Sequence, residues 1–355
     1  MTSTIIERPP TGGKFSKYKI SNGVRIICDN AFYGCSELEE VHIPSSVNFI
    51  GAGAFSDCSK LKSIQLPGSI VYIGNRAFCG VPSNITIPAS VEMIDGNPFS
   101  SKTKIISRSN KYIVQDDVLY TFDKKKIISY CNQSLVFRIP DGVSVIGKDA
   151  FCGCKSENIV FPSTLKTIEY SAFSDCSELS SNLVFPESLE EIQADAFDWC
   201  SFNNGCVTLP SNIKIIDPKA FSLGWYVNLI KVPQGRLNHY KKILPDWFSN
   251  QIIDVDYIYE SGLFYNIDKT EIFAATDVDV EGEIIIPSHV KKIRDGAFNG
   301  HYNLNSIRFQ NIDVSLSSNA FEKEYFKIER IIVPKGGKEK FSLIFPRLTE
   351  NIVEE

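Results

Sequence analysis

The same short phrase returns along this chain at a nearly constant interval. It consists of an Ala-Phe pair, a polar stretch with a cysteine and an alternating apolar segment, as in GAGAFSDCSKLKSIQLP at Gly51–Pro67. Within each run, successive Phe residues of the phrase are 21 to 24 residues apart, and Pro98 replaces the Ala in one copy. The ten positions are Phe32, Phe55, Phe78, Phe99, Phe151, Phe173, Phe197, Phe221, Phe298 and Phe321. One unit of this length cannot bury its apolar face alone, so the period predicts stacked coils that cover one another.

The closing part of each phrase, LKSIQLP in the second coil, predicts a strand. Ile64 and Leu66 would point to one face of this strand and Gln65 to the other. Pro67 would end the strand, and the Val-x-x-Ile that follows is predicted to begin the turn of the next coil. The Phe of each phrase is interpreted as core packing, so Phe55→Ala is expected to destabilise the protein by about 3–5 kcal/mol.

The composite pattern IPxSVxxIGxxAFxxCxxLxxIxLP resembles the BspA-type leucine-rich repeat. The resemblance covers about Gly23–Pro233 and Ile284–Pro334. It implies a β-rich repeat solenoid, the right-handed α/β arc of leucine-rich repeats. It also implies adhesion or protein binding, often at the surface of bacteria and of some protozoa, with partners that differ from one member to the next.

The two larger gaps between the phrases contain a second repeated element. Tyr112–Tyr130 reads YIVQDDVLYTFDKKKIISY and Tyr257–Ala275 reads YIYESGLFYNIDKTEIFAA, and the two align without a gap. Each predicts two short strands around a polar turn. We interpret both as β-hairpin insertions that extend the sheet and restart the stack.

A third element also occurs twice. Val232–Trp247 matches Val333–Leu348 at a constant offset of 101 residues. The stretch after its Gly is typical of a short helix, which Pro245 or Pro346 would end. At the C-terminus this element is interpreted as a cap that covers the open apolar face of the last coil.

These elements predict two arcs, preceded by an N-terminal extension. The first arc would hold eight coils and the second arc two. The predicted segments are the extension at 1–22, the first arc at 23–254 with a hairpin at 107–135 and a cap-like segment at 232–254, and the second arc at 255–355 with a hairpin at 255–275 and a cap at 333–355.

Charge and hydropathy exclude several classes of partner. The formal net charge is −5, and Lys and Arg are scattered apart from the run Lys124–Lys126, so no nucleic-acid surface is predicted. No apolar run approaches the roughly 18 residues that span a bilayer. The N-terminus, MTSTIIERPPTGGKFSKYKI, lacks the apolar region of a secretory signal. Two interpretations of location remain open: the chain stays inside the cell, or a signal is missing from this sequence.

The cysteines predict packing rather than chemistry. Five share one position, three residues after the Phe: Cys35, Cys58, Cys154, Cys176 and Cys200. A recurring position favours a ladder of small buried side chains. Disulfides are disfavoured because side chains of neighbouring coils point the same way, and Cys152-x-Cys154 lacks the second pair of a metal site. Buried thiols are typical of a reducing compartment.

The sequence predicts no catalytic site, no metal site and no cofactor. It contains no Gly-x-Ser-x-Gly, no phosphate-binding glycine loop and no His-Glu-x-x-His. The acidic clusters at Asp116-Asp117 and Asp277–Asp279 offer too few oxygen ligands for calcium and are interpreted as solvated turns. The histidines, all outside such motifs, are His42, His239, His289 and His301.

Two columns of outward-facing residues are candidate partner surfaces. One is mixed in character and has His42, Gln65 and Arg138 as candidate contacts. The other column precedes the Ile of Val-x-x-Ile and is apolar through the first coils, which is typical of interaction surfaces with aromatic anchors. Its members are Ile26, Phe49, Tyr72, Met93 and Val145, followed by Thr167 and Glu191. An alternative is that this column packs against the N-terminal segment TIIERPPTGGKF.

The sequence therefore predicts a monomeric, non-catalytic scaffold that presents a repeat-built β face to a protein or a glycan. One alternative is a structural component that self-associates in a larger assembly. Another is an enzyme with a site in the insertions.

Overall fold

The structure is a computed structural model that describes residues 5–6, 15–101, 103–179, 183–200, 206–221, 229–248, 250–275, 283–298, 304–316, 318–321 and 328–355. Within these residues the chain forms a β-solenoid of about 13 turns with little helix, which confirms the predicted repeat solenoid. Its contacts divide the chain into two compact units. The units are Met1–Leu179 with Ser188–Cys200 and Lys214–Gly224, and Ser180–Glu187 with Ser201–Ile213 and Trp225–Glu355. The predicted arcs with a boundary at residue 254 stay a prediction.

The first unit begins with a sheet of five parallel two-residue strands, which we call the first Ile ladder. Its strands are Ile5–Ile6, Ile26–Ile27, Phe49–Ile50, Tyr72–Ile73 and Met93–Ile94. The sequence predicted that the Val-x-x-Ile segment begins a turn, and this was incomplete. The segment forms a strand because it meets the same segment of the next coil in register, with Phe49 opposite Tyr72.

A second Ile ladder in this unit starts with the first hairpin. Its antiparallel strands are Tyr112–Gln115, Val118–Thr121 and Lys126–Tyr130, followed in parallel by Val145–Ile146, Thr167–Ile168, Glu191–Ile192 and Ile215–Ile216. The predicted insertion is confirmed, but it has three strands rather than two. The extra reversal occurs because Asp116 and Asp117 both adopt left-handed backbone, with φ of 51° and 57°.

The closing part of each phrase forms the other strand of its coil. These strands of the first unit are Lys17–Lys19, Glu40–His42 and Ser63–Ile64 in one sheet, Asn84–Ile87 with Lys104–Ser107 in a second, and Val136–Arg138 with Asn158–Val160 in a third. Ile64 is buried and Gln65 is exposed, as the alternation predicted.

The Phe of each phrase fills the interior. Phe32, Phe55 and Phe78 are fully buried. Their rings stack with centroids 5.0 Å and 5.8 Å apart. In later coils, Phe173 stacks on Phe151 at 4.8 Å and on Phe197 at 5.1 Å. The interpretation of these residues as core is confirmed.

The Ala-Phe pair lies between two positions of left-handed backbone. In the second coil these are Gly53 and Asp57, with φ of 62° and 60°. In the third coil they are Arg76 and Gly80, with φ of 55° and 75°. Residues other than glycine are strained in this region, so the surrounding coil must hold them there. The paired bends reverse the chain between the two strands of a coil.

The second unit contains three sheets. Its parallel strands are Leu183–Val184, Cys206–Thr208, Leu229–Lys231 and Ile252–Ile253 in one sheet, and Glu283–Ile286, Ser306–Phe309, Arg330–Val333 and Ile352–Glu354 in another. The second hairpin forms the third sheet, with antiparallel strands Tyr257–Glu260, Leu263–Asn266 and Glu271–Ala275 and the parallel strand Lys292–Ile293. It too has three strands rather than the two predicted, because Ser261 and Gly262 have φ of 51° and 79°.

Two short helices follow the glycines of the doubled element. They span Leu237–Ile243 and Lys338–Ile344, and the short 3-10 segments are Asp246–Phe248, Ser318–Ala320 and Pro346–Asn351. Phe341 is buried against Phe309, with ring centroids 4.6 Å apart. This contact places the last helix over the interior of its coil, as expected for a cap.

Candidate functional site

The exposed face of the first Ile ladder carries an unbroken column of apolar side chains, which we call the apolar stripe. It consists of Ile5, Ile26, Phe49, Tyr72 and Met93, which lie opposite one another in the strand register. Phe49 and Tyr72 stack with ring centroids 4.3 Å apart and nearly parallel planes. Met93 is 55% exposed, and Phe49 and Tyr72 are half-buried. The two stacked rings restrict each other's rotation and form the centre of the stripe.

The described part of the N-terminal segment, Ile5–Ile6, extends the stripe by one strand. Ile5 pairs with Ile26 as an additional edge strand and is 39% exposed. The predicted alternative, in which TIIERPPTGGKF packs over the column, also involves residues 7–14, which lie outside the described residues. At the other end, Ile94 donates its N–H to the Tyr112 hydroxyl at 2.8 Å, so the hairpin follows the last strand directly.

Tyr72 is suited to an apolar contact. Burial raises the pKa of its phenol, and the carboxylates of Asp95 and Asp29 raise that pKa further. The hydroxyl therefore stays neutral at physiological pH, and the ring offers both an apolar face and a neutral hydrogen-bonding group.

Val145 does not join the stripe. The sequence placed it in the same column, but it lies in the second Ile ladder, between Lys126 and Thr167. The hairpin starts this new ladder, and its Lys126 takes the position before Val145. The apolar character of the column therefore ends at Met93.

The mixed column is divided among several sheets. His42 and Gln65 are exposed on neighbouring coils, whereas Arg138 is exposed in a separate two-stranded sheet. Two later basic members are already paired within the second unit. Lys231 contacts Asp256 at 2.6 Å, and Arg308 contacts Glu283 at 3.2 Å. This column therefore offers isolated polar groups rather than one continuous surface.

The shared cysteine position carries a hydrogen bond that the sequence did not reveal. The Cys58 thiol donates to the Phe32 carbonyl at 3.2 Å, and the Cys176 thiol donates to the Phe151 carbonyl at 3.1 Å. Burial raises the pKa of Cys58 to about 12, so its thiol keeps the proton that makes this bond. The one sequence signal for this hydrogen bond was that Cys, rather than Ala, recurs at this position.

A polar cleft interrupts the turns of the first unit. It has a volume of about 350 Å³ and is lined by residues of the third to sixth coils, among them Arg76, Gly80, Asn97, Asp149 and Cys152. The cleft was not predicted from the sequence, although Pro98 in place of Ala marks the irregular coil.

A second polar cleft lies beside the second hairpin, within the second unit. It has a volume of about 510 Å³, and its lining includes Lys231, Asp254, Glu271 and Arg294. Glu271 contacts Lys292 at 2.8 Å and Arg294 at 3.0 Å. Burial raises the pKa of Glu271, but its hydrogen bonds to these two cations outweigh that effect and lower it. Most charged side chains of this cleft therefore already form ion pairs with neighbouring residues.

The described residues contain no group of three or more His, Cys, Asp or Glu side chains placed to hold a metal ion. In the same part of the chain, no helix has the length and hydropathy needed to cross a membrane.

One family model and several solved structures of leucine-rich repeat proteins are similar to this chain. The family model described as BspA type leucine rich repeat region matches residues 11–125, 120–254 and 269–350, with six copies. A leucine rich cell surface protein from Faecalibacterium prausnitzii is 26% identical, with a TM-score of 0.48, over 65% of this chain and 76% of that one. The pneumococcal vaccine antigen PcpA is 18% identical, with a TM-score of 0.50, over 99% of this chain and 81% of that one. A leucine-rich repeat protein from Bacteroides ovatus is 21% identical, with a TM-score of 0.43, over 96% and 84%. No curated protein matches the chain.

Proposed function

Because the chain belongs to the BspA-type leucine-rich repeat family, we propose that it is a non-catalytic binding scaffold whose apolar stripe contacts a partner protein. The observation that carries the proposal is the stacked, solvent-facing pair Phe49 and Tyr72, flanked by the exposed Met93. Aromatic side chains that are rigid and half-buried lose little entropy on binding and dominate the energetics of protein interfaces.

The family supports adhesion or protein binding as the general use of such a scaffold. A protein partner is favoured over a glycan because the stripe lacks the convergent polar groups that would orient a sugar. Self-assembly of this chain through the stripe is the alternative that the test below distinguishes.

A binding screen against surface proteins and glycans would test the proposal. The wild type is compared with Phe49→Ser/Tyr72→Ser and with Thr167→Ser/Glu191→Ser, which changes the equivalent positions of the second Ile ladder. Circular dichroism first establishes that both variants are folded. We expect a protein ligand whose affinity falls at least tenfold in the first variant and stays unchanged in the second.

Three results would contradict this function. Binding that survives in the folded Phe49→Ser/Tyr72→Ser variant would place the contact elsewhere. A glycan ligand lost in the same variant would replace the protein partner. Concentration-dependent sedimentation of the wild type, abolished in this variant, would show self-association instead.

A further inference from the structure

Regular coils of the first unit are joined by a repeated hydrogen bond between their turns, which we call the turn rung. The N–H two residues after the Phe donates to the carbonyl one residue after the Phe of the next coil. Four such rungs are Gly34 to Ser56 at 2.8 Å, Asp57 to Cys79 at 2.8 Å, Gly153 to Ser174 at 2.8 Å and Asp175 to Asp198 at 2.9 Å. The pattern predicts a donor at Gly80 and an acceptor at Cys152.

Both of these groups lack their rung. Within the described part of the chain, the Gly80 N–H has no acceptor and the Cys152 carbonyl has no donor. The expected acceptor for Gly80 is the Ser100 carbonyl, which instead accepts from Thr103 N–H at 2.9 Å. Gly80, Ser100 and Cys152 all line the 350 Å³ cleft.

The cleft exists because the hairpin coil omits its turn. Tyr130 occupies the position of the Phe, donating its N–H to the Ala150 carbonyl at 2.8 Å and stacking on Phe151 at 4.6 Å. The side chain of Asn132, two residues later, is directed to the Asp116 carbonyl of the hairpin at 3.0 Å. The core of the coil is therefore continuous, while its turn segment is missing.

A buried network holds the two sides of the cleft in place. The side chain of Asp149 is only 3% exposed and contacts Arg76 at 2.6 Å. It also accepts from Asn75 at 2.9 Å, and Asn97 donates to the Asp149 carbonyl at 3.0 Å. These bonds tie the third and fourth coils to the fifth across the missing turn. A preformed cleft of this size lies in the range of about 300–1,000 Å³ typical of ligand sites.

Among the described lining residues, the charge that remains unpaired in the cleft is negative. Arg76 and Asp149 neutralise each other. Asp175 lines the cleft, is exposed, and forms no ion pair in the region that the structure describes. Lys155, on the preceding coil, pairs with Glu178 instead at 3.5 Å. A cationic side chain that entered the cleft could therefore form an ion pair with the carboxylate of Asp175.

We propose that this cleft binds a short peptide segment of a partner protein that carries a lysine or arginine. A carbonyl of the segment accepts from Gly80 N–H, an N–H of the segment donates to the Cys152 carbonyl, and the basic side chain pairs with Asp175. The segment thus takes the place of the missing turn. The site shares no residue with the apolar stripe, so either proposal can fail without the other.

The test follows the amide resonance of Gly80 in the ¹⁵N-labelled full chain. The probe is the blocked tripeptide acetyl-Gly-Lys-Gly-amide, compared with acetyl-Gly-Glu-Gly-amide and with n-butylammonium, which supplies the cation without the peptide groups. We expect a saturable shift of the Gly80 resonance with the lysine peptide, and binding about threefold to fivefold weaker for the glutamate peptide.

Matched variants locate the site. Gly153 lines the cleft, has φ of +67°, and a Cβ there would meet no atom within 4 Å. Gly34 occupies the same turn position outside the cleft, with φ of +69° and the same open space. Asn tolerates left-handed backbone, so both variants should fold. Gly153→Asn should weaken binding of the lysine peptide, because its side chain enters the cleft, and Gly34→Asn should not.

A second pair of variants tests the charge. Asp175→Asn should abolish the preference for lysine over glutamate, whereas Asp141→Asn, an equal charge change elsewhere, should preserve it.

The proposal is overturned if the Gly80 resonance shows no saturable shift with the lysine peptide. It is also overturned if n-butylammonium binds as tightly as the peptide, which would make the cleft a simple cation site. Equal binding by Gly153→Asn and Gly34→Asn, with dispersed amide spectra for both, would place the peptide elsewhere.

Discussion

The two hairpin insertions share a backbone geometry but carry opposite charges at the position that contacts the next coil. Both contain a register shift at the same place, between Leu119 and Tyr120 in the first and between Phe264 and Tyr265 in the second. In the first hairpin, Lys126 contacts Glu169 at 2.6 Å. In the second, the aligned residue is Glu271, which contacts Lys292 and Arg294. The backbone geometry is thus set by turns and pairing, and the charges need only complement the next coil.

The hairpins also differ in how they restart the core. Tyr130 enters the aromatic stack of the first unit, whereas the aligned residue of the second hairpin is Ala275. Both donate their N–H to the Ala of the next coil, at 2.8 Å and 2.7 Å. The backbone bond is therefore sufficient to place the next coil, and the ring is an addition specific to the first hairpin.

The largest expected effect comes from removing that ring. Tyr130→Ala should destabilise the protein by about 3–5 kcal/mol, because a large buried side chain is lost and a cavity is left beside Phe151. Urea unfolding followed by fluorescence would measure this loss. Tyr130→Phe, which keeps the ring and removes only the contact of its hydroxyl with Ser156, should cost about 1 kcal/mol. A similar loss for both variants would mean that the ring contributes little.

Reversing a charge should have the next largest effect. Lys126→Glu places a second carboxylate against the partly buried Glu169 and should destabilise the protein by about 1–2 kcal/mol. Lys126→Glu/Glu169→Lys gives the first hairpin the polarity of the second and should recover most of that loss. If the double variant is no more stable than the single one, the two hairpins do not share a common rule of charge complementarity.

Lowering the pH should have a smaller effect on stability, through Glu271 of the second hairpin. The folded-state pKa of Glu271 lies below the usual value of 4.5. Its contribution to stability is therefore complete above that usual value and is lost as the pH falls through the lowered pKa. Unfolding measured over a descending pH series should show a steeper decline for the wild type than for Glu271→Gln. Parallel curves for the two proteins would mean that the ion pairs contribute no stability.

The smallest effect concerns the first turn of each hairpin. Asp116 and Asp117 occupy it in the first hairpin, and Ser261 and Gly262 in the second, all with positive φ. Asp117→Gly should stabilise the protein by about 0.5 kcal/mol, because Asp-Gly suits this turn better than Asp-Asp. Gly262→Asp should have the opposite sign in the same thermal unfolding assay. Two changes of the same sign would show that the turns are not equivalent.

Sequence periodicity predicted the coils, the buried Phe column and both insertions, because each depends on local pattern. The third strand of each hairpin was missed because a two-residue turn between short apolar runs leaves little trace in the alternation. Tyr130 was not recognised as a core position because no Ala precedes it. Its role depends on a backbone bond to Ala150, which is a tertiary feature.

The candidate surfaces were predictable in part. Phe49, Tyr72 and Met93 were found because their column follows the repeat without interruption. Val145 has the right position within its coil, yet it belongs to another ladder, since strand pairing changes at the hairpin. The cleft at Gly80 and Cys152 could not be predicted, because it arises from hydrogen bonds that are missing rather than from residues that are present.

The turn rungs have a mechanical consequence. They run from coil to coil, so a force that separates neighbouring coils loads the few rungs of one junction at a time. Between Gly80 and Cys152 the turn side lacks these rungs, so more of the load there falls on the side chains around Asp149. Under tension, the first unit should therefore open at this junction first, when the ion pair and hydrogen bonds of Asp149 break.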